Sequence, residues 1–378
     1  MNNKTIITGL GFIMVLIYVI SCVKPFEPPV ISNPNSYLVV EGVAIPGTDT
    51  TRITLSRSRN LSDTTSFIPE NNASVRIVSK LGQNYQLNPK GKGVYAGLLN
   101  LAQGQEYQIK INTGDGFQYE SDFVSAVITP PIDSLTWKQD NDVSIFVNTR
   151  DPQNKTRFYR WEYLETWEYH SYYESIIGYN SSNDSLYFRD STQKTFACWD
   201  SVFSDKVIIG ASEQLSEDVI TNLLVTTVPI GSDKISVRYS ILVRQFGLTR
   251  DAYDFWQEIK KNSTQVGGLF DPLPSQLIGN IRCTSNPGEP VIGYFSIATI
   301  QTKRLYILNN QLINWKGTNY DVLCTPRITT PDSTSYFLWD PNLAPAYYVS
   351  GGGLAIANVF CVDCRLQGGI NRKPGYWP

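Results

Sequence analysis

Apolar and polar residues alternate in short runs from residue 37 to about 128. In one such run Tyr107, Ile109 and Ile111 alternate with Gln, Lys and Asn, which is typical of a strand with one buried face. These runs recur about every ten residues, separated by turn sequences such as Gly-Asp-Gly at 114–116, and no helical period intervenes. The pattern predicts a β-sandwich over residues 37–130.

The pattern breaks at Thr129-Pro130-Pro131, because proline donates no backbone hydrogen bond and does not fit a central strand. We place a domain boundary here and predict a larger β-rich domain over residues 131–378. One clear helical pattern lies within it, at about residues 250–261, with Thr249 as its N-cap. Its apolar stripe consists of Tyr253, Trp256 and Ile259.

Residues 158–170 carry aromatic side chains on one parity and mostly charged ones on the other. The aromatic row consists of Tyr159, Trp161, Tyr163, Trp167 and Tyr169. Because aromatic residues at period two usually pack in a core, we interpret most of the row as buried. The alternative is a binding surface at the end of this strand, formed by Tyr169, His170, Tyr172 and Tyr173. Residues 176–195, rich in Ser, Asn and Asp, predict a polar loop.

The first residues have the pattern of a signal peptide. A positive start is followed by an apolar stretch at 6–20, which is shorter than a transmembrane helix requires. Val19-Ile20-Ser21-Cys22 looks like a lipobox, at which bacteria lipidate the cysteine sulfur and cleave just before it. An uncleaved anchor or a plain secretory signal is the alternative. We predict, in order, a signal peptide (1–21), lipid attachment such as palmitate at Cys22, and a Pro-rich tether (22–36).

Composition narrows the range of partners. The 32 basic and 34 acidic residues give a net charge of −2, so the chain lacks the basic footprint of a nucleic-acid-binding protein. The 42% of hydrophobic residues exclude wholesale disorder. We therefore expect a folded protein that does not bind nucleic acid.

Five cysteines follow Cys22, and an oxidising envelope would permit disulfides. We predict disulfides among Cys198, Cys324, Cys361 and Cys364, with their connectivity open, and Cys283 as the unpaired residue. Cys361 and Cys364 have the C-x-x-C spacing, but no second close pair of ligands accompanies them, so zinc is not indicated. We expect no metal and no cofactor.

Catalytic patterns are absent from the sequence. His170 is the single histidine, no G-x-S-x-G stands in the chain, and no phosphate-binding loop is present. Glu162, Glu165 and Glu168 are close in sequence, but Glu165 lies on the opposite strand face from the other two. We expect no enzyme, and an unusual carboxylate hydrolase is the least favoured alternative.

Several short stretches, in this order, resemble a family of Bacteroidetes lipoproteins known as the domain of unknown function 4249. They are 22–29 (CVKPFEPP), 37–42 (YLVVEG), 54–57 (TLSR), 131–134 (PIDS), 278–281 (IGNI), 286–295 (NPGEPVIGYF), 361–364 (CVDC) and 373–377 (KPGYW).

The resemblance implies an outer-membrane lipoprotein, often encoded beside a TonB-dependent receptor, and supplies no catalytic residues. It also implies that the N-terminal sandwich is Ig-like or transthyretin-like, in a mostly β protein with one clear helix. We therefore expect a lipid-anchored, surface-exposed, non-catalytic binding partner or lid of such a receptor in nutrient uptake. The alternative function is an envelope structural or assembly factor, or an adhesin, without a transport role.

Overall fold

The computed structural model describes residues 37–47, 49–58, 68–102, 104–264, 279–317, 323–333, 335 and 339–378. The predicted signal peptide, the predicted lipid-attachment residue Cys22 and the predicted tether lie outside these residues. The described elements belong to one compact unit, Tyr37–Pro378. This unit is mostly β, with a single α-helix in its described part, which confirms the predicted fold class.

In chain order the strands are β1 (Leu38–Val43), β2 (Thr50–Arg57), β3 (Ile68–Pro69), β4 (Ser74–Ser79), β5 (Asn84–Gly91), β6 (Val94–Leu98), β7 (Glu106–Asn112), β8 (Gln118–Ser121), β9 (Val124–Ser125), β10 (Ile132–Gln139), β11 (Val143–Asp151), β12 (Phe158–His170), β13 (Ile177–Asn180), β14 (Ser185–Phe188), β15 (Ala197–Phe203), β16 (Ile208–Ala211), β17 (Asp218–Val228), β18 (Arg238–Leu248), β19 (Ile281–Cys283), β20 (Val291–Gly293), β21 (Ile300–Leu308), β22 (Arg327–Thr329), β23 (Leu343–Val349) and β24 (Gly353–Asn358). The helix α1 spans Arg250–Thr264.

The first half of the molecule is a single sheet that curls around a core. Its strand order is β19-β8-β7-β4-β5-β6-β2-β1-β20, with β3 paired to β2 and β9 paired to β7. Its alternating apolar residues point inward, as the sequence pattern predicts. Tyr107, Ile109 and Ile111 of β7 are each 0% exposed. They meet Ile53 and Leu55 of β2 in the same core, so burial of apolar surface holds the two halves of the sheet together.

A mostly buried ionic cluster lies in this curled sheet, centred on Arg57 at the end of β2. The Arg57 guanidinium lies 3.0 Å from Glu70, 3.2 Å from Asp115 and 3.6 Å from Glu289. Tyr119 of β8 donates a hydrogen bond of 2.6 Å to Glu289 and accepts one of 3.4 Å from Arg57. We call these five residues the Arg57 cluster.

The chain returns to the first sheet after building the second half of the molecule. β20 pairs in parallel with β1, and β19 pairs antiparallel with β8. The sheet is therefore built from residues 38–125 together with 281–293, and not from the predicted range 37–130 alone.

Two facing sheets form the second half, β10-β11-β17 and β15-β12-β18-β21, with β16 beside β12. Their shared core contains Tyr159, Trp161 and Tyr163 of β12, which are at most 6% exposed. Tyr239 and Val243 of β18 pack into the same core. The interpretation of the aromatic row as a core row is confirmed for these residues.

The helix begins where the sequence predicts and ends three residues later, at Thr264. The Thr249 side chain caps it by accepting a 3.3 Å hydrogen bond from the Ala252 N–H. The buried side chains are Ala252 and Phe255, at 0% and 6% exposure. The buried face of the helix therefore differs from the predicted apolar stripe, because Tyr253, Trp256 and Ile259 are only half-buried. No helix among the described residues is long and apolar enough to cross a bilayer.

A small C-terminal sheet, β22-β24-β23, packs against the hairpin β13-β14. The hairpin lies in residues 176–195, so the prediction of a polar loop there is wrong for β13 and β14. The structure shows two disulfides, Cys198–Cys364 and Cys324–Cys361, and leaves Cys283 unpaired and buried. The predicted set of paired cysteines and the predicted free one are thus confirmed, and the connectivity left open by the sequence is resolved.

Candidate functional site

The first two residues of the predicted binding surface lie at the end of β12 and make structural contacts. Tyr169 is 6% exposed, and its hydroxyl donates a 3.0 Å hydrogen bond to the Cys364 carbonyl. The same hydroxyl accepts a 2.8 Å bond from the Gly369 N–H. Tyr169 therefore holds the C-terminal segment in place and is a core residue, contrary to its predicted place on a binding surface.

His170 lies on the other face of the strand and is half-buried. Its Nε2 lies 3.0 Å from Oε1 of Glu168, and its ring lies 4.3 Å from the ring of Phe196. The imidazole is thus held by one carboxylate and one aromatic ring, and the second carboxylate oxygen of Glu168 accepts a 2.9 Å bond from the indole of Trp377.

Tyr172 and Tyr173 start a group of rings at the surface. Tyr172 is 42% exposed, and its ring lies 4.7 Å from that of Tyr173, edge to face. Tyr173 is anchored by a 2.6 Å hydrogen bond to the Cys324 carbonyl, and its ring lies 5.4 Å from Tyr347 of β23. The disulfide at Cys324 thereby fixes the group to the small C-terminal sheet.

A second group of rings lies against the neighbouring position of β23. Phe188, at the end of β14, is 71% exposed, and its ring lies 6.4 Å from that of Tyr348. Tyr348 itself is 45% exposed. Tyr347 and Tyr348 are consecutive in β23, so the two groups lie on opposite faces of that strand. We call the two groups together the aromatic end; its members are Tyr172, Tyr173, Phe188, Tyr347 and Tyr348.

A cleft of about 570 Å³ lies between the curled first sheet and the β12-β18 face of the second half. Three arginines and two glutamates line it, together with aromatic and hydroxyl side chains. The lining residues are Glu41, Gly42, Val43, Ile45, Thr50, Arg52, Thr54, Arg160, Glu162, Phe203, Ser204, Arg244, Phe246 and Trp256. We call it the arginine cleft.

One wall of the cleft is formed by four side chains, two on β12 and two on its paired strand β18. In the β12-β18 register Arg160 lies opposite Phe246, and Glu162 lies opposite Arg244. Glu162 bridges the two arginines, at 2.8 Å from Arg160 and 3.5 Å from Arg244. The strand pairing therefore sets two guanidinium groups on either side of one carboxylate.

Arg160 is unusually buried for an arginine. Its Cζ lies 4.2 Å from the ring centroid of Trp256 on α1 and 5.0 Å from that of Phe246. Burial lowers the pKa of Arg160, and the charge of Glu162 acts in the opposite direction. The Nε–H of Arg160 is buried and has no hydrogen-bond acceptor among the described residues.

The facing wall comes from β1 and β2, where Glu41 pairs with Thr54 and Val43 pairs with Arg52. Gly42 lies between them with φ 131°, and a Cβ there would lie 2.3 Å from the Arg52 carbonyl oxygen. Only glycine fits this backbone, because the conformation and the close approach both exclude a side chain. The cleft thus has carboxylate, hydroxyl and guanidinium groups on both sides.

The sequence pattern did not predict this cleft. Arg160 and Glu162 lie on the parity of β12 that the sequence pattern identified only as a charged face. The signal in the sequence was the alternation of Arg and Glu opposite the Arg-x-Phe of residues 244–246, but it becomes visible only once the strand register is known.

Glu162, Glu165 and Glu168, which were considered as a possible carboxylate pair, each contact different partners. Glu165 faces the second core at 4% exposure, where Lys234 and Tyr239 lie 2.6 Å and 2.7 Å from its two oxygens. Glu162 forms ion pairs with Arg160 and Arg244, and Glu168 contacts His170. Within the described residues, no group of three His, Cys, Asp or Glu side chains is placed to hold a metal ion.

These features define a class of protein: a β protein of two joined halves, with a disulfide-fixed C-terminal sheet, an exposed aromatic end and a charged cleft between its halves. The chain belongs to the family described as Domain of unknown function (DUF4249), whose model matches residues 23–304. Every residue that lines the arginine cleft lies within this range, whereas Tyr347 and Tyr348 of the aromatic end lie beyond it. No curated protein matches the chain.

Proposed function

We propose that this protein is an outer-membrane lipoprotein of the Bacteroidetes kind, anchored through Cys22 and exposed at the cell surface. There it acts without catalysis as the binding partner or lid of a TonB-dependent receptor in nutrient uptake. The leader with its lipobox supports the anchor. The family match supports a body that follows the leader, because it begins at residue 23.

The observation that carries the binding role is the aromatic end. Phe188 and Tyr172 expose large ring surfaces on the two sides of β23, each beside a further tyrosine ring. Tyrosine and phenylalanine bury much area at a small entropic cost, so they are enriched at protein interfaces. The disulfide Cys324–Cys361 and the hydrogen bond from Tyr173 hold the rings on a fixed framework, which lowers the cost of docking further.

The ionisable groups near the end of β12 favour binding over catalysis. Glu165 is engaged by Lys234 and Tyr239, and His170 by Glu168. A general base needs a free route to the proton that it abstracts, and these groups are already committed to structural partners.

The test is an affinity pull-down of the tagged full-length lipoprotein from outer membranes solubilised in mild detergent, read by mass spectrometry. We expect a stoichiometric TonB-dependent barrel. A chain with both Tyr172→Ser and Phe188→Ser should retain about tenfold less barrel, since exposed aromatic anchors contribute most of the energy at such interfaces.

Two controls make the result specific. Leu81→Ser changes a side chain that is 77% exposed at the β4-β5 turn, and it should leave the barrel bound. Cys22→Ala removes the sulfur that carries the lipid and should move the protein out of the membrane fraction. A preparation without any barrel would contradict the receptor role and favour an assembly factor or adhesin.

A further inference from the structure

We propose that the arginine cleft is a binding site for a small monoanionic carboxylate that also carries hydroxyl groups. This inference goes beyond the proposed function and does not depend on it, because the site is lined by residues away from the aromatic end. It rests on the charges of the lining residues, on the buried guanidinium of Arg160 between two aromatic rings and on the arrangement of the two walls.

The charges favour one negative group. Arg52, Arg160 and Arg244 line the cleft together with Glu41 and Glu162, which leaves an excess of one positive charge. A guanidinium presents a planar fork of donors that matches a carboxylate with two parallel hydrogen bonds. A dianion would meet the two glutamates as well, so a single negative charge is the better match.

The guanidinium of Arg160 is held so that a ligand in the cleft would contact its outer edge. Trp256 and Phe246 lie beside its guanidinium, and Glu162 takes one terminal amine. Its Nε–H is buried and has no acceptor in the part of the chain that the structure describes, although buried donors are nearly always satisfied. Because this Nε–H is closed to solvent, an incoming oxyanion would meet the terminal amines and share the two guanidinium groups with Glu162.

The remaining lining groups suit a hydroxylated molecule. Thr50, Thr54 and Ser204 offer hydroxyls, while Glu41 and Glu162 accept hydrogen bonds. Phe203, which is 68% exposed, offers an apolar face beside them. The volume of about 570 Å³ lies within the range of small-molecule sites. A sugar acid combines these features: one carboxylate, several hydroxyls and an apolar ring face.

The experiment uses three probes with the same ring and different charge: glucose, glucuronate and glucose 6-phosphate. Each is titrated into the purified mature protein by isothermal titration calorimetry, up to millimolar concentration. We expect saturable binding of glucuronate, weaker binding of glucose 6-phosphate and none of glucose. Raising the salt concentration should weaken the binding of glucuronate.

Variants assign the binding to the cleft. Arg244→Gln and Arg52→Gln should each weaken glucuronate binding about tenfold, by removing a charge-assisted hydrogen bond. Glu162→Gln should tighten it, because it frees Arg160 and Arg244 from their internal counter-ion. A purely structural role for Glu162 would not produce tighter binding. Arg150→Gln, a side chain 63% exposed outside the cleft, is the matched control and should bind as the unaltered protein does.

Three results would overturn the proposal. The first is the absence of saturable glucuronate binding to the unaltered, folded protein. The second is equal binding of glucose and glucuronate, which would show that the site does not recognise the negative charge of the carboxylate. The third is unchanged affinity in both Arg244→Gln and Arg52→Gln. Circular dichroism of each variant separates loss of binding from loss of fold, and the receptor pull-down is independent of all three results.

Discussion

At the scale of single residues, Asp151 shows how one carboxylate organises a connection. It ends β11 and accepts a 2.9 Å backbone hydrogen bond from Gln153, and bonds of 2.9 Å and 3.0 Å from Lys155 and Thr156. Burial acts most strongly, to raise the pKa of Asp151, but the three N–H groups and the charge of Lys155 together hold it below its ordinary value. The ionised carboxylate therefore fixes the turn into β12.

Replacing this carboxylate should make stability depend differently on pH. We expect Asp151→Asn to lower the free energy of unfolding by about 1–3 kcal/mol near neutral pH, because the charged acceptor is lost. The folded-state pKa lies below the unfolded value of about 3.9, so the stabilisation is complete above that value and is lost as the pH falls through the folded pKa. Urea unfolding of both proteins across the acid range measures this.

The difference between the two proteins should therefore shrink on acidification. Asp140→Asn is the control, because the Asp140 side chain is 77% exposed and should matter little at any pH. A stability difference for Asp151→Asn that stays constant down to strongly acidic pH would contradict the account.

At the scale of elements, β12 separates what the sequence can reveal from what it cannot. Its alternation predicted the buried row that includes Tyr159 and Trp161, because the period of a strand fixes which residues share a face. The same alternation placed Arg160 on the charged face of the strand and gave no sign that it is buried. It is buried because Trp256 of α1 covers the second face, and a local pattern carries no information about a contact so distant in sequence.

The hairpin β13-β14 was missed for a different reason. Its strands have four residues each, and a polar turn between them dominates the composition of the segment. Short strands give too few alternations to stand out from a loop. The pairings of β19 and β20 with β8 and β1 are likewise long-range, so the sequence could predict the strands but not the sheet that they complete.

The Arg57 cluster joins β2, β8 and the segment before β20. Breaking it should therefore lower the stability of the fold. Although burial acts to lower the pKa of Arg57, the hydrogen bonds and charges of Tyr119 and Glu70 hold it above its ordinary value. We expect Arg57→Ala to lower the free energy of unfolding by about 3–5 kcal/mol, because it leaves the carboxylates of Glu70 and Glu289 poorly solvated without their cation. Chemical denaturation of the purified domain measures the loss.

Lys138→Ala is the matched control for that measurement. Lys138 pairs with Asp140, and both side chains are mostly exposed, so the expected cost is at most about 1 kcal/mol. If Arg57→Ala cost no more than Lys138→Ala, the cluster would be a surface feature in energetic terms, and its role in joining β2, β8 and the segment before β20 would be refuted.

At the scale of the whole molecule, the two disulfides close loops of very different length. Cys198–Cys364 spans a sequence separation of 166 and Cys324–Cys361 one of 37. In the chain-entropy model the longer loop restricts the unfolded chain more. We expect the Cys198→Ser, Cys364→Ser double variant to be about 1 kcal/mol less stable than the Cys324→Ser, Cys361→Ser double variant.

Thermal unfolding by calorimetry compares the two double variants, with Cys283→Ser as the control that breaks no bond. The shorter disulfide should matter more for the aromatic end than for global stability, because Tyr173 is anchored on the Cys324 carbonyl. The opposite order of melting temperatures would show that native-state contacts outweigh chain entropy here.

The return of β19 and β20 to the first sheet has a consequence for how the chain acquires its fold during synthesis. β1 is among the first strands to be made, but its parallel partner β20 follows only after β10–β18 and α1 have been synthesised. The sheet therefore keeps an open edge while most of the chain is produced, and such edges recruit other strands. β1 can complete its pairing only once residues 291–293 are available.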